Sequence, residues 1–275
     1  MTAGTRESYN ELASFLNTQG GEPKRHALEH MKIAQELEML ELSIPGSGMV
    51  LHPVVIGSKD SWVLVDTGMP GQYGAIKELV QQAGYTALEP GSIILTHQDV
   101  DHVGSLPQFL DGSHGTMEVY AHKDDQPYID GELPFIKLRP QVVDMLRKSL
   151  TEKEYTGFEH AFSKESPAQV THIVAEGDVL PFGGGLTVIH TPGHTPGHIS
   201  LYHANSKTLI AGDALTVNNG ELCGPNPPVT PDMNLALKSV RKFKDYDIEA
   251  IICYHGGVFK GDIQKRIDEL TADVQ

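Results

Sequence analysis

The stretch Ser92–Leu106, SIILTHQDVDHVGSL, sets an apolar triplet directly before a run of polar side chains. Ile93, Ile94 and Leu95 read as a buried strand. His97, Asp99, Asp101 and His102 follow within six residues, in the spacing H-x-D-x-D-H. On a regular helix these side chains would point in several directions, whereas a loop can fold all four around a pair of ions. Imidazole nitrogen and carboxylate oxygen are natural ligands for zinc, iron or manganese. The competing reading is a solvated loop in which Asp99 or Asp101 caps the next helix.

The same pattern, a ligand type at the end of an apolar strand, recurs downstream. TPGHTPGH (residues 191–198) follows the strand LTVIH, so His194 projects from a rigid Thr-Pro-Gly corner. His190 and His198 read as strand residues or as groups that orient a ligand or substrate. LIAGDAL leaves Asp213 at a strand end, where a lone acid is ordinarily a cap or turn residue. IICYHGG puts His255 after a buried strand and before Gly256 and Gly257.

Around these motifs the texture alternates between strands and helices. ELEMLELSI and VLHPVVIG are followed, through a GSKD turn, by SWVLVDTG, and this reads as a hairpin. YGAIKELVQQAG is a helix ended by Gly84. EVYAH (118–122) is a short strand. Residues 124–165 differ: PQVVDMLRKSL is helical, its flanks are rich in Pro, Gly and charge, and the stretch reads as an insertion. Strand texture returns through HIVAEGDVLPFGGGLTVIHTPGH and ISLYHANSKTLIAGDAL. MNLALKSVRKFKDY, the strand AIICYHGG and a final helix close the chain. Residues 1–33 read as an N-terminal extension with a small apolar patch at Leu12, Phe15 and Leu16. Residues 34–275 read as one domain of two sheets sandwiched between helices. Gly183, Gly184 and Gly185 lack phosphate-loop spacing and read as a turn.

Composition narrows the function classes. The 275 residues are 39% hydrophobic and 21% charged, enough to bury a sizeable core. A formal charge of −15 argues against nucleic acid, which demands a basic stripe, and against docking to anionic lipid. It reads as solubility, partly offset by bound divalent cations. No apolar run approaches the roughly 18–20 residues of a membrane span, and the N-terminus lacks the features of a secretory signal. Cys223 and Cys253 are too few for a disulfide framework. Reduced thiols in a cytoplasmic protein are expected, with a single intramolecular disulfide left open.

In the order VDTG, THQDVDH, TPGHTPGH, GDA, YHGG, the chain resembles the metallo-β-lactamase superfamily from roughly residue 37 to 260. It is most similar to the branch of glyoxalase II-like thioesterases and quorum-quenching lactonases. The resemblance implies an α+β fold, a four-layer αββα sandwich. It also implies two divalent ions per chain, zinc first, with iron or manganese as alternatives. His97, Asp99 and His194 would hold the first ion, Asp101, His102 and His255 the second, and Asp213 would bridge them. Asp66 of VDTG would support a ligand from beneath by hydrogen bonding. The common pattern is H-x-H-x-D-H, so Asp99 replaces a histidine and makes the first position harder. Thr216 stands where certain lactonases carry a tyrosine, which counts against a specifically lactonase reading.

The implied chemistry is hydrolysis of an ester-type bond in a small molecule: a lactone, thioester, carboxylic ester or phosphodiester. A metal-bridging hydroxide would attack, with Asp101 as ligand and as the catalytic group that orients it and shuttles its proton. Residues 124–165 are expected to cap the site and set substrate preference, with Tyr128, Phe135 and Met145 on the pocket face. One alternative is a diiron redox enzyme resembling the flavodiiron proteins, which carry Glu at the position matching Asp99. These need a flavin domain or electron partner, and 275 residues leave no room for a fused one after this core. A non-catalytic module keeping its metals for structure is the other. Monomer and homodimer both remain open.

Overall fold

The computed structural model describes residues 29–44, 47–87, 89–113, 115–167 and 169–274. The first sheet contains β1 (Glu29–Ala34), β2 (Leu37–Ser43), β3 (Val50–Leu51), β4 (Val54–Ser58), β5 (Ser61–Val65), β6 (Ser92–Ile94), β7 (Glu118–His122) and β8 (His172–Val174). Its order is β1-β2-β4-β5-β6-β7-β8, with β3 paired to β2. From β5 to β8 the strands run parallel. The second sheet contains β9 (Val179–Leu180), β10 (Leu186–His190), β11 (Ile199–His203), β12 (Thr208–Gly212), β15 (Ala250–Cys253) and β16 (Gly257–Phe259), in the order β16-β15-β12-β11-β10-β9. Between β12 and β15 in the chain, β13 (Thr216–Asn218) and β14 (Glu221–Cys223) form a separate two-stranded ribbon.

Alternation along the strands builds the layers. Val54, Ile56, Val63, Val65 and Ile94 face the second sheet, where they meet Val188, Ile199, Leu201, Ile210 and Ile252 in one core. The intervening residues Val55, Trp62, Leu64, Ile93 and Leu95 face outward and pack beneath helices α1 (Tyr73–Gln82), α2 (Val100–Val103) and α3 (Leu106–Gly112). Sheets covered on both faces read as continuous apolar runs, because both side-chain directions are buried. On the far side of the second sheet, Ile189, Leu209, Ile251 and Cys253 pack with Val240, Phe243, Ile263 and Ile267 from the helical C-terminal third. The architecture is therefore the expected αββα sandwich.

Among the described residues, three helices lie between β7 and β8: α4 (Gln126–Ile129), α5 (Pro140–Ser149) and α6 (Glu152–Ala161). A capping box starts the last of them, with Thr151 and Glu154 satisfying each other's backbone N–H groups. Phe135, Phe158 and Phe162 form an aromatic cluster there, ring centroids 5.0–6.3 Å apart. Phe135 thus packs with other aromatic rings of its own segment, while Met145 is exposed. The C-terminal third adds α7 (Met233–Val240) and α8 (Ile263–Leu270). Cys223 and Cys253 are free thiols, so no disulfide joins them.

One boundary moves. Residues 29–33, assigned from sequence to the extension, belong to β1, which pairs antiparallel with β2 and sets His30 opposite Leu40. As an edge strand it buries none of its side chains fully, so it carries no apolar face to betray it. The patch at Leu12, Phe15 and Leu16 lies outside the described residues.

Candidate metal centre

The ligand-type residues of the motifs stand where strands end. Asp66 follows β5, Thr96–His102 follow β6, His194 and His198 follow β10, Asp213 follows β12, and Tyr254 and His255 follow β15. The two sheets bring these ends together along one edge of the sandwich. Local backbone demands are severe there. Asp66 adopts φ +62°, a region that Asp tolerates better than most residues. Gly212 adopts φ +55°, and a Cβ on it would come within 2.8 Å of His198 Nε2.

The seven proposed ligands converge. His97, Asp99 and His194 form one group and Asp101, His102 and His255 another. Asp213 reaches both, with Oδ2 3.3 Å from His194 Nε2 and 3.4 Å from His255 Nε2, and Oδ1 3.3 Å from His102 Nε2. His97 Nε2 lies 3.3 Å from Asp99 Oδ2, and His255 Nε2 lies 3.2 Å from Asp101 Oδ2. Ligands about 2.0–2.1 Å from a tetrahedral ion stand about 3.3 Å from each other. The donor spacing therefore fits ions.

Hydrogen bonds outside the cage aim the imidazoles inward. His102 donates Nδ1–H to Asp66 Oδ2 at 2.9 Å, and Asp66 also accepts the Thr96 backbone N–H and hydroxyl, both at 2.8 Å. His97 donates Nδ1–H to Thr96 Oγ1 at 3.0 Å. His194 donates Nδ1–H to Thr230 Oγ1 at 3.2 Å, whose own proton goes to the Asn226 carbonyl. In each ring this leaves the Nε2 lone pair facing the centre, the arrangement a metal-binding histidine needs. His97 Nε2, His102 Nε2, Asp99 Oδ1 and Asp213 Oδ1 are buried with no hydrogen-bond partner among the described residues. Such a group costs about 1–3 kcal/mol when nothing satisfies it.

Asp99 sits at the N-cap position of α2, but its side chain makes no capping hydrogen bond. The carboxylate instead accepts from Lys137 Nζ at 2.6 Å and approaches His194 Nε2 at 3.0 Å. That arrangement disfavours the capping reading.

Charge in the cage shifts its imidazoles in opposite directions. Burial opposes a charge on His102, yet Asp66, Asp101 and Asp213 hold its pKa well above the usual histidine range. Burial also opposes His255, but Asp213 and Asp101 drive it up to about 10. His97, fully enclosed and beside His102, falls to about 4 despite Asp99. Burial would raise Asp99 and Asp213, but the surrounding imidazoles, with Lys137 at Asp99, hold both well below the carboxylate range. The carboxylates demand positive charge at their centre.

A pH dependence follows for protein kept in excess chelator. His255 has a folded pKa of about 10 against an ordinary 6.5, so its stabilising contribution is complete below about 6.5. That contribution is lost as pH rises through 10, and His102 acts in the same direction. Melting temperature should therefore fall between these limits, and fall less steeply in His255→Gln. A variant slope equal to that of the parent would remove His255 as the cause.

Further groups support the site, and two of them, Lys137 and Asp125, lie outside every sequence motif. Lys137, between α4 and α5, reaches Asp99 and lies 2.6 Å from His194 Nε2. Its one signal is a basic residue inside the otherwise apolar PFIKL. Asp125, fully buried, accepts from the Gln98 N–H, the Thr195 hydroxyl and the Gly197 N–H, tying two ligand loops together. His198 Nε2 accepts the Asp213 N–H at 3.0 Å, so its Nδ1–H donates to Thr191 Oγ1 at 2.7 Å. It orients Asp213 through the backbone. His190 stacks on His122 away from the seven, at 3.9 Å between centroids. Tyr254 lays its ring on His102 and donates its hydroxyl to the Asp101 carbonyl at 2.6 Å.

The family described as "Metallo-beta-lactamase superfamily" matches residues 52–255 of this chain. Among curated relatives, the probable metallo-hydrolase YflN of Bacillus subtilis (strain 168) is 32% identical over 209 residues, 71% of this chain and 75% of that protein. The probable metallo-hydrolase YybB of the same organism is 27% identical over 199 residues, 72% and 77% of the two chains. A solved metallo-β-lactamase family protein of Thermus thermophilus superposes with TM-score 0.64 at 23% identity, covering 88% of this chain and 80% of its own. A β-lactamase domain protein of Burkholderia ambifaria superposes with TM-score 0.62 at 20% identity, covering 91% and 75%. At these identities the structures speak for the fold alone.

Proposed function

Because this chain belongs to the metallo-β-lactamase superfamily and is a metallo-hydrolase, we propose that it cleaves an ester-type bond of a small molecule at a dinuclear centre. The observation that carries this reading is the set of inward-facing, unpartnered atoms on His97, His102, Asp99 and Asp213. His97, Asp99 and His194 would hold the first ion, Asp101, His102 and His255 the second, and Asp213 both. Two divalent ions, zinc first, would supply a water acidic enough to ionise near neutral pH and a Lewis acid for the substrate oxygen.

The protein's own groups do the rest. Asp66, Thr96 and Thr230 fix the imidazoles in the tautomer that binds. His198 and Asp125 hold the loops that present Asp213 and His194. Asp101 is a quarter exposed while Asp213 is mostly covered, so Asp101 is the carboxylate that meets an entering substrate. It would orient the attacking water and take its proton. The glyoxalase II-like and lactonase branch supplies the first substrates to try, and the free cysteines suit a cytoplasmic enzyme.

The test is a panel of thioesters, lactones, carboxylic esters and phosphodiesters, run with and without chelator, on protein whose metals have been quantified. Two ions per chain and chelator-sensitive hydrolysis are expected. Saturation at one ion would end the dinuclear reading. Iron content with oxygen consumption would transfer the assignment to the diiron redox alternative, which the carboxylate at Asp99 favours.

A further inference from the structure

Lys137 is the only lysine or arginine, among the described residues, that pairs with any of the seven converging side chains. Its ammonium lies 2.6 Å from Asp99 Oδ2 and 2.6 Å from His194 Nε2, and those two atoms are 3.0 Å apart. The side chains of Lys137 and Asp99 are about seven-eighths covered, and that of His194 almost wholly. An ion about 2.0–2.2 Å from that same pair would come within about 3.7 Å of Nζ, whichever side it took. His194 Nε2 has a single lone pair, which cannot accept from the Lys137 ammonium and bind an ion at once.

We propose that Lys137 competes with the ion for the first position of the cage, so that the two positions fill at different metal concentrations. This rests on the dinuclear reading of the site. The lysine supplies Asp99 with a positive charge of its own, and an ion must expel it to gain Asp99 and His194. The second position, at Asp101, His102 and His255, has no such competitor among the described residues. The flanking backbone is held on both sides: the Ile136 N–H donates to Gln98 Oε1 at 2.9 Å, and the Arg139 N–H to the Lys137 carbonyl at 2.8 Å. Expulsion is therefore a rotation of the four-carbon side chain, with the loop still latched to the site. Asp99, the carboxylate in place of the commoner histidine, and Lys137 form one device.

The experiment titrates metal-stripped full-length protein with Zn²⁺ alone against a chromophoric competing chelator, after circular dichroism has shown each variant folded. The parent should show a tight and a weak step, and Asp99→Ala should abolish the weak one. Lys137→Met should tighten the weak step about tenfold or more, within the usual range for coupling between two sites, and leave the tight step unchanged. Lys137→Arg, which keeps the charge, should keep the weak step weak. A parent that saturates at one ion would end the dinuclear reading and this inference with it. Equal affinities in the parent and both Lys137 variants, or a weaker step in Lys137→Met, would overturn it while leaving the dinuclear reading intact. If no variant binds Zn²⁺, the dinuclear reading falls and this inference with it.

Discussion

Asp213→Ala should leave a folded chain that retains at most one ion and hydrolyses its substrate on the order of a thousandfold more slowly, or worse. The side chain reaches into both groups of ligand-type residues: its oxygens stand 3.3 Å from His102 Nε2, 3.3 Å from His194 Nε2 and 3.4 Å from His255 Nε2. No neighbour can replace it. The main chain should tolerate the change, because the Asp213 N–H is held by His198 and the preceding strand is paired on both sides. Asp213→Asn separates charge from shape, since it fills the same space without the negative charge, and it should bind metal nearly as poorly as the alanine variant. Elemental analysis beside kcat/KM decides the matter. A variant that keeps two ions and turns over within tenfold of the parent would show that Asp213 bridges nothing.

Asp66→Ala should be costly in a different way, destabilising the fold as well as the site. Asp66 is buried and accepts three hydrogen bonds, from the Thr96 N–H, the Thr96 hydroxyl and His102 Nδ1. Removing one partner of such a buried charged network costs about 3–5 kcal/mol. For a chain of this size that lowers the melting temperature by on the order of 10 °C. Freed of its acceptor, the His102 ring is no longer held with Nε2 inward, and metal affinity at the second position should drop roughly 10–100-fold. The parent and variant would be compared by calorimetry and by chelator competition. If melting moves by a degree or two and zinc affinity is unchanged, the Asp66–His102 contact is incidental.

These two aspartates differ in how far the sequence foretells them. Asp213 is visible there only as an acid closing an apolar strand, and the order of the five motifs supplies its partners. Asp66 is visible within VDTG, with a supporting role implied by the resemblance. What neither motif contains is the route from Asp66 to the cage, which runs through Thr96 to His97 as well as directly to His102. Thr96 opens THQDVDH, but the motif assigns it no role. It matters because β5 and β6 lie side by side and in parallel, which puts the ends of both strands at the same height.

Local chemistry was enough to specify the layers, the order of the strand-end motifs and the types of donor they offer. Those are properties of short range: apolar runs such as Ile93–Leu95 bury wherever they fall, and a histidine just past a strand end is confined to its loop. Long-range pairing was needed to settle which donors share a centre, which way each imidazole points, and that Lys137 lies among them. Lys137 meets Asp99 across 38 positions and His194 across 57, and Asp125 meets Thr195 across 70. β1 was hidden for a related reason, since an edge strand with no buried face takes its conformation from its neighbour. A side chain's chemistry is written at its own position, but its partner is chosen by the pairing of strands far apart in the chain. No local pattern records that choice.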